Sequence, residues 1–362
     1  MDFKIIEDTN RETELFIKNN NGHVLQSYQW GEIREKEGHK VIRCTVTDKE
    51  NNIVIYSQLV LHRLPRWYPS LSKYVCEVWR GPIIDKNRNI NEIQEALDTY
   101  ISNLKELGKK EKIMLIKFEP NIEKDTTLGK IFSQQLVKSE STFVKGSGII
   151  DLDRDIDTIF NSFNKYTKKN IRKSINKGVE INISRTKEEH IEAINRIYPI
   201  LTITSNRADF RIRPLSFYQS LIDLESDNLK IRIVEAFVNN NLAASYFALI
   251  YNNTVYTPYS GSNREYSEYK ANELINYELI KEAKSLNCTR YDQWGILPTD
   301  TDPKDPMWGV SNFKLGFNGK REEYIGAYDL IIDHISQKIF TLAWDIRKVL
   351  NNTRKLIKRS VS

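Results

Sequence analysis

The sequence predicts a mixed α/β protein made of two tandem units, each a β-sheet flanked by helices. Two long hairpins carry this reading. "HKVIRCTVTDKENNIVIYSQLVLHRLP" alternates apolar and polar residues, turns at Asp48–Asn52 and alternates again. "LKIRIVEAFVNNNLAASYFALIYNNTVYTPYSGS" does the same around Asn239–Asn241. Alternation with period two, broken by Asn and Asp, is the mark of paired strands. After each hairpin come the same elements: a strand ending near glycine (75–82 and 255–262), an amphipathic helix (91–108 and 271–287) and a closing strand (112–120 and 288–295). Order and spacing kept twice over point to an internal duplication.

The remaining elements follow from this frame. The stretch 152–178 has no equal in the first unit and predicts one or two helices opening the second, with Gly178 as C-terminal cap. Phe160, Phe163, Tyr166, Ile171 and Ile175 form its apolar stripe. The tail has apolar residues at 335, 339, 342, 346, 349, 350, 356 and 357 and a basic opposite face, as a membrane- or RNA-facing helix has, or one packed on the body with a frayed end. The expected organisation is a first unit over 1–150, a second over 151–335, and a basic amphipathic helix over 336–362.

Composition narrows the function classes. The chain has 362 residues, 40% hydrophobic and 28% charged, enough for sizeable cores and against disorder. No apolar run approaches the ~18–20 residues of a spanning helix. The N-terminus lacks the basic-then-apolar layout of a secretory signal, so a cytoplasmic protein is expected. Three cysteines without CxxC spacing and five scattered histidines call for no metal and no disulfide framework. The net charge of +6 is unevenly placed. Lys165, Lys168, Lys169, Arg172, Lys173 and Lys177 lie between Asp157 and Glu180 with no acid among them, and six more cations follow Asp345. Such clusters are either solvated faces or sites for phosphates, RNA or lipid headgroups.

Smaller groups stand out. Arg207, Arg211 and Arg213 precede Pro214, which forces an extended approach, so Arg211 and Arg213 share one side and can clamp an anion or form an exposed basic loop. Trp30 and Arg34 are four apart, one face of a helix. In "WGVSNFKLGFNG" (308–319), Lys314 sits between bulky apolar groups. It points into water from a strand or loop, or it is a fixed cation beside a reacting group.

The element order resembles the core of the Gcn5-related N-acetyltransferase (GNAT) fold. Such units hold the CoA pyrophosphate on a glycine-rich turn, where backbone N–H groups reach phosphate. Here "REYSEYKANEL" (264–274) and "DKNRNINEI" (85–93) contain no glycine. A donor other than CoA is therefore expected.

The succession "QSYQWGEIRE", "MLIKFEPN", "YTKKNIRKSINKGVEI", "RPLSFYQSL", "YSGS", "YDQWG" and "DPMWGVSNFKLGFNGKREEYIGAYDL" is similar to the FemABX peptidyltransferase family over about residues 25–335. The last motif is the most specific. The resemblance implies two GNAT-like units moving an aminoacyl group from aminoacyl-tRNA to the stem-peptide amine of a peptidoglycan precursor, UDP-MurNAc-pentapeptide or lipid II, without a cofactor. It implies a catalytic Lys314 with Phe313 at the tRNA 3′ end, and Glu119 near the acceptor. It implies Arg34 and Arg213 on the precursor's phosphates, with Phe217 where relatives often have Tyr, and an acceptor-site Tyr259. Trp30 and Arg211 are added as acceptor-side candidates, and Lys168, Lys169, Arg172 and Lys173 for tRNA. "YDQWG" departs from the commoner "YDLGG", which bears on the donor pocket. The turn "VNNN" leaves no room for the helical arm of larger members. Peripheral contact with the inner membrane surface is a further expectation.

Two rivals stay open: a similar acyltransferase using CoA or a carrier protein on another amine, and a non-catalytic RNA- or membrane-binding protein. No Ser-His-Asp or Cys-His arrangement offers itself, so a covalent enzyme intermediate is not expected.

Overall fold

The structure, a computed structural model, describes residues 1–7, 10–65 and 72–342. It divides into two compact units. The first comprises, of the described residues, those within Met1–Asn20, Arg34–Thr142 and 325–342. Its strands are β1 (Asp2–Ile6), β2 (Lys40–Thr47), β3 (Ile53–Arg63), β4 (Tyr74–Trp79), β5 (Ile83–Ile84), β6 (Ile113–Glu119) and β7 (Val137–Ser139); its helices are α1 (Arg11–Asn19), the end of α2 (Tyr28–Lys36), α3 (Ile90–Glu111) and α4 (Thr127–Ser133). The sheet runs β1-β2-β3-β4-β6, then a returning strand at Ala327–Ile331, then β7, with β5 beside β3.

The first predicted hairpin is β2–β3. Asp48 fixes its turn, the side-chain Oδ1 accepting from the Glu50 and Asn52 N–H groups at 2.9 Å. β3 reads IVIYSQLVLHR and is buried along nearly its whole length, as a central strand covered on both faces must be. α3 starts where the Asn89 side chain accepts from the N–H groups of Asn91 and Glu92. It ends at Lys112, in the left-handed region. Its apolar stripe, Ala96, Tyr100 and Leu104 among it, buries against β3 and β6.

The second unit comprises Asn21–Ile33 and Phe143–Tyr324. It holds β8 (Gly146–Asp151), α5 (Ile156–Ser162), α6 (Lys165–Asn176), β9 (Glu180–Ile183), α7 (Lys187–Ala208), α8 (Leu215–Asp223), β10 (Leu229–Val238), β11 (Asn241–Tyr251), β12 (Thr254–Ser262), α9 (Ala271–Ser285), β13 (Arg290–Gly295), α10 (Trp308–Leu315) and β14 (Lys320–Glu323). The sheet order is β14-β8-β13-β12-β11-β10-β9. Hairpin β10–β11 turns on Asn239 and Asn240, both at positive φ (48° and 63°), the backbone a two-residue hairpin needs. α6 and α9 cover the face carrying Ala236, Tyr246 and Ile250; α7 and α8 cover the other, where Tyr218 meets Phe247.

In each unit the strand after the hairpin pairs in parallel with the strand after the helix, β4 with β6 and β12 with β13. The duplication is thus visible in hydrogen bonding. The unit boundaries differ from the expected division at 150. Strand β8 belongs to the second sheet, and the returning strand at Ala327–Ile331 belongs to the first, between β6 and β7. Sheet hydrogen bonds, not chain order, decide membership.

The segment 152–178 forms two helices, because Asn164 caps a new one, its side chain accepting from Thr167 N. Gly178 follows α6 at φ +71°. The predicted stripe is only half right. Phe163 and Ile171 are buried, whereas Tyr166 (65%) and Ile175 (53%) are exposed, since the break at Phe163 resets the helical phase. Residues 334–342 are helical and leave Ile335, Ile339 and Leu342 exposed. The rest of the predicted tail helix, 343–362, lies outside the described residues.

Candidate active site

Lys314 is on neither a strand nor a loop but on helix α10. The surrounding residues explain its orientation. Phe313 packs on Phe317 (ring centroids 5.6 Å), and Phe317 on Phe163 (5.1 Å), so the two phenylalanines anchor the segment in the core. Gly316 lies so close to α6 that a Cβ there would stand 2.6 Å from Thr167 Oγ1, and its carbonyl accepts from Asn164 N at 3.0 Å. At the other end, Ser311 Oγ accepts from Leu297 N at 2.9 Å.

Pinned in this way, Lys314 donates from Nζ to the Gly295 carbonyl at 2.8 Å, at the end of β13. Burial pushes its pKa down to about 8, and Asp292 pulls in the opposite direction. Asp292 itself accepts from Ser147 Oγ and, at 2.7 Å, from Trp294 N. The lysine is therefore a positioned, largely desolvated cation that feels the charge of the buried Asp292 carboxylate.

A second group in the same unit joins residues far apart in sequence. Trp30 meets Phe217 edge-on at 5.9 Å; Tyr259 lies 6.1 Å from Phe217 and 5.1 Å from Tyr218. The Arg213 guanidinium lies over the Phe217 ring at 5.2 Å. Pro214 caps α8 in an extended conformation, and the residues before it are coil, as the Arg211-x-Arg213-Pro214 pattern requires. Arg211 is exposed. Trp30, Phe217 and Tyr218 are buried, so of this group the half-exposed Arg213 and Tyr259 and the exposed Arg211 are what a phosphate-bearing ligand could meet.

In the first unit, Glu119 ends β6 buried, its Oε1 accepting from Thr142 N at 2.8 Å. Arg34 is 2% exposed, ion-paired with Glu37 and stacked over Trp79 at 5.4 Å. An anion reaching it would compete with Glu37. On α6, Lys169 and Arg172 are exposed and Lys168 and Lys173 half-exposed; Lys168 donates to Asn161 O at 2.8 Å and Arg172 lies over Phe160.

Three features escaped sequence reading. The segment replacing the glycine-rich turn, Arg264–Tyr269, is a 3-10 helix whose Tyr266 and Tyr269 pack on the core. A Ser-His-Glu set does exist: Ser184 Oγ lies 2.7 Å from His190 Nδ1, and His190 Nε2 lies 3.3 Å from Glu225. Ser184 (2%) and His190 (0%) are sealed, and Ser184 Oγ accepts from Ile233 N, so the set ties β9 and β10 to α7 and offers no nucleophile. Third, Trp294 takes a left-handed backbone (φ 62°) beside His23 and Tyr256, a strained position for a bulky residue. Among the described residues no cluster of metal-ligand type occurs, and no helix is long and apolar enough to cross a membrane.

The FemAB family model matches residues 9–145, 147–244 and 233–344, nearly all of the chain. The chain belongs to the FemAB family. A lipid II:glycine glycyltransferase of Staphylococcus aureus (strain MRSA252) is 22% identical, with 98% of each chain covered. A solved structure of FemX superimposes with a TM-score of 0.78 at 19% identity, over 94% of this chain and 99% of that one. A tandem GNAT protein from the clavulanic acid biosynthesis pathway gives 0.53 at 12% identity, over 91% and 98%. The FemAB fold in this chain is thus a duplicated GNAT-like fold, and its β10–β11 turn carries no inserted arm.

Proposed function

We propose that this FemAB-family protein transfers an aminoacyl group from aminoacyl-tRNA to the stem-peptide amine of a peptidoglycan precursor, building an interpeptide bridge. The observation that carries the reading is the ammonium of Lys314, pinned by Phe313, Phe317 and Gly316 and held on the Gly295 carbonyl. It accompanies near full-length similarity to a glycyltransferase acting on lipid II.

The chemistry asks little of the protein. The acceptor amine attacks the ester carbonyl of the donor, a C–N bond forms, the C–O bond to the terminal ribose breaks, and the amine's proton passes to the departing ribose oxygen, which leaves as a hydroxyl. The ester is already activated, so positioning supplies much of the acceleration. Lys314 stabilises the negative charge that develops on the carbonyl oxygen and leaving ribose, with Phe313 beside it. Arg213, Arg211 and Tyr259, backed by the buried Trp30 and Phe217, hold the precursor's phosphate-bearing part, with Arg34 as a further cation and Glu119 near the acceptor amine. Lys168, Lys169, Arg172 and Lys173 bind the tRNA backbone. The step needs no cofactor. The turn at 264–269 is a 3-10 helix without glycine, which speaks against CoA as donor. The exposed Ile335, Ile339 and Leu342 accord with peripheral attachment to the inner face of the membrane, where lipid-linked precursors reside.

The test is transfer from radiolabelled aminoacyl-tRNA pools to UDP-MurNAc-pentapeptide and, separately, to lipid II in detergent. Label in either acceptor is expected and identifies amino acid and precursor. No label in either, with tRNA still bound, would leave an RNA-binding protein.

A further inference from the structure

One aromatic ring of the second unit stands in solvent. Of the described tyrosines only Tyr166 is exposed, at 65%, on the first turn of α6. Single exposed apolar groups are ordinary on protein surfaces; the surroundings of this one are not.

Those surroundings are cationic. Lys165 Nζ lies 5.0 Å from the ring centroid. Lys169 and Lys173 follow at i+3 and i+7, on the same face of the helix, about 4.5 and 10.5 Å further along its axis. No acid occurs between Asp157 and Glu180. Two acids that reach α6 from its neighbours bond to other residues, Glu268 to Lys177 and Glu273 to Asn170.

The turn that carries the ring is joined to the helix that carries Lys314. Thr167, next in the chain, is buried, and a Cβ on Gly316 would stand 2.6 Å from its Oγ1. Asn164 N donates to the Gly316 carbonyl at 3.0 Å. Gly316 follows Lys314 by two residues. A strand whose 3′ terminus reaches Lys314 therefore has the first turn of α6 beside it.

We propose that Tyr166 is a stacking platform for an unpaired base at the 3′ end of the donor tRNA. The inference rests on the proposed transfer reaction and deepens it, by separating the single-stranded end, held at Tyr166, from the duplex arm, held by the cations further along α6. An unpaired base offers a π face between two phosphates, which matches a bare ring in a line of lysines, and such stacking tolerates any base. A membrane surface fits the ring less well. The other exposed apolar residue of α6, Ile175, lies nine positions on and so on the opposite side of the helix, which leaves no apolar face for lipid.

The experiment measures binding of uncharged tRNA, intact and truncated at the end of its acceptor stem, to wild type, Tyr166→Ala and Tyr166→Phe. Tyr166→Ala is expected to weaken binding of intact tRNA by about 5- to 150-fold and to bind truncated tRNA as wild type does, which also shows that the variant is folded. Tyr166→Phe keeps the ring and is expected to match wild type on both. Losing the ring removes no charge, so the plot of log K against log salt should drop without changing slope. Unchanged binding of intact tRNA by Tyr166→Ala would overturn the proposal; weaker pelleting of that variant with phosphatidylglycerol vesicles would then assign the ring to a membrane. An equal loss on intact and truncated tRNA, or a loss in Tyr166→Phe, would also overturn it. Each of these outcomes leaves the transfer reaction standing. No binding of tRNA by wild type would instead sink that reaction, and this inference with it.

Discussion

The Lys314 ammonium donates to the Gly295 main-chain carbonyl at 2.8 Å, tying α10 to the last residue of β13. Burial lowers its pKa from 10.5 to about 8, so the folded protein holds this proton less tightly than the unfolded chain does. Between those values the unfolded chain binds more protons, and the lysine's contribution to stability therefore rises with pH across that window. In Lys314→Met this contribution should vanish: the difference in melting temperature between variant and wild type should shrink as pH goes from 7 to 10, with the variant melting no lower at pH 7. Transfer should fall by about 10²-fold in the same variant. A variant that melts lower at pH 7 and keeps full turnover would make the lysine a structural prop.

The Arg213 side chain lies flat over Phe217. If it grips a phosphate of the acceptor before and during transfer alike, its loss removes uniform binding. Arg213→Met should raise the acceptor KM by about 10–100-fold with little change in kcat. Arg213→Lys should recover only part of it, because an ammonium cannot reproduce the planar fork. A drop in kcat at constant KM would place Arg213 at the reaction centre instead.

On α6, Lys169 is exposed and Lys173 half-exposed. Removing a cation that neutralises one phosphate should flatten the dependence of log K for tRNA on log salt by about 0.9 for a duplex arm. Lys169→Ala and Lys173→Ala should each lower the slope by roughly one, and the double variant by roughly two. Titration of uncharged tRNA between about 50 and 200 mM salt reads this out directly. Parallel lines for wild type and all three variants would show a merely solvated face.

At Gly316 a Cβ would meet Thr167 Oγ1 at 2.6 Å and the Phe313 carbonyl at 3.0 Å. Gly316→Ala must therefore push α10 off α6 and should cost about 1–3 kcal/mol in urea unfolding. Because α10 carries Lys314, transfer should fall further than the reduced stability explains at temperatures where the variant is still folded. Gly309→Ala, on the same helix with open space around its Cβ position, should leave both measurements near wild type.

The repeating parts of the fold were legible in the chain itself. The alternation in 39–65 and 229–262, the asparagine turns and the helical stripes of α3 and α9 are local patterns, set by which residues bury on a sheet face or a helix face. The exchange of strands was not legible. Neither β8 nor the short strand Ala327–Ile331 advertises its sheet, since pairing partners are chosen by hydrogen bonds and core packing between segments distant in the chain. Nor was α7 legible as one helix, because Pro199 lies inside it; the capping box of Thr186 and Glu189 and the burial of Ile194, Ile197 and Leu201 outweigh the missing hydrogen bond.

The site divides in the same way. Phe313-Lys314, Arg213 and Tyr259 could be singled out from their motifs, and Trp30 from its place beside Arg34. Folding in three dimensions made α10 a helix, held its lysine on Gly295 and left Tyr166 bare one residue from the contact between α6 and α10. Charge state, burial and aim depend on what packs around a side chain: Thr167 against Gly316, Ser147 on Asp292, Glu37 on Arg34. None of these neighbours except Glu37 lies near its partner in the chain, and only folding brings them together.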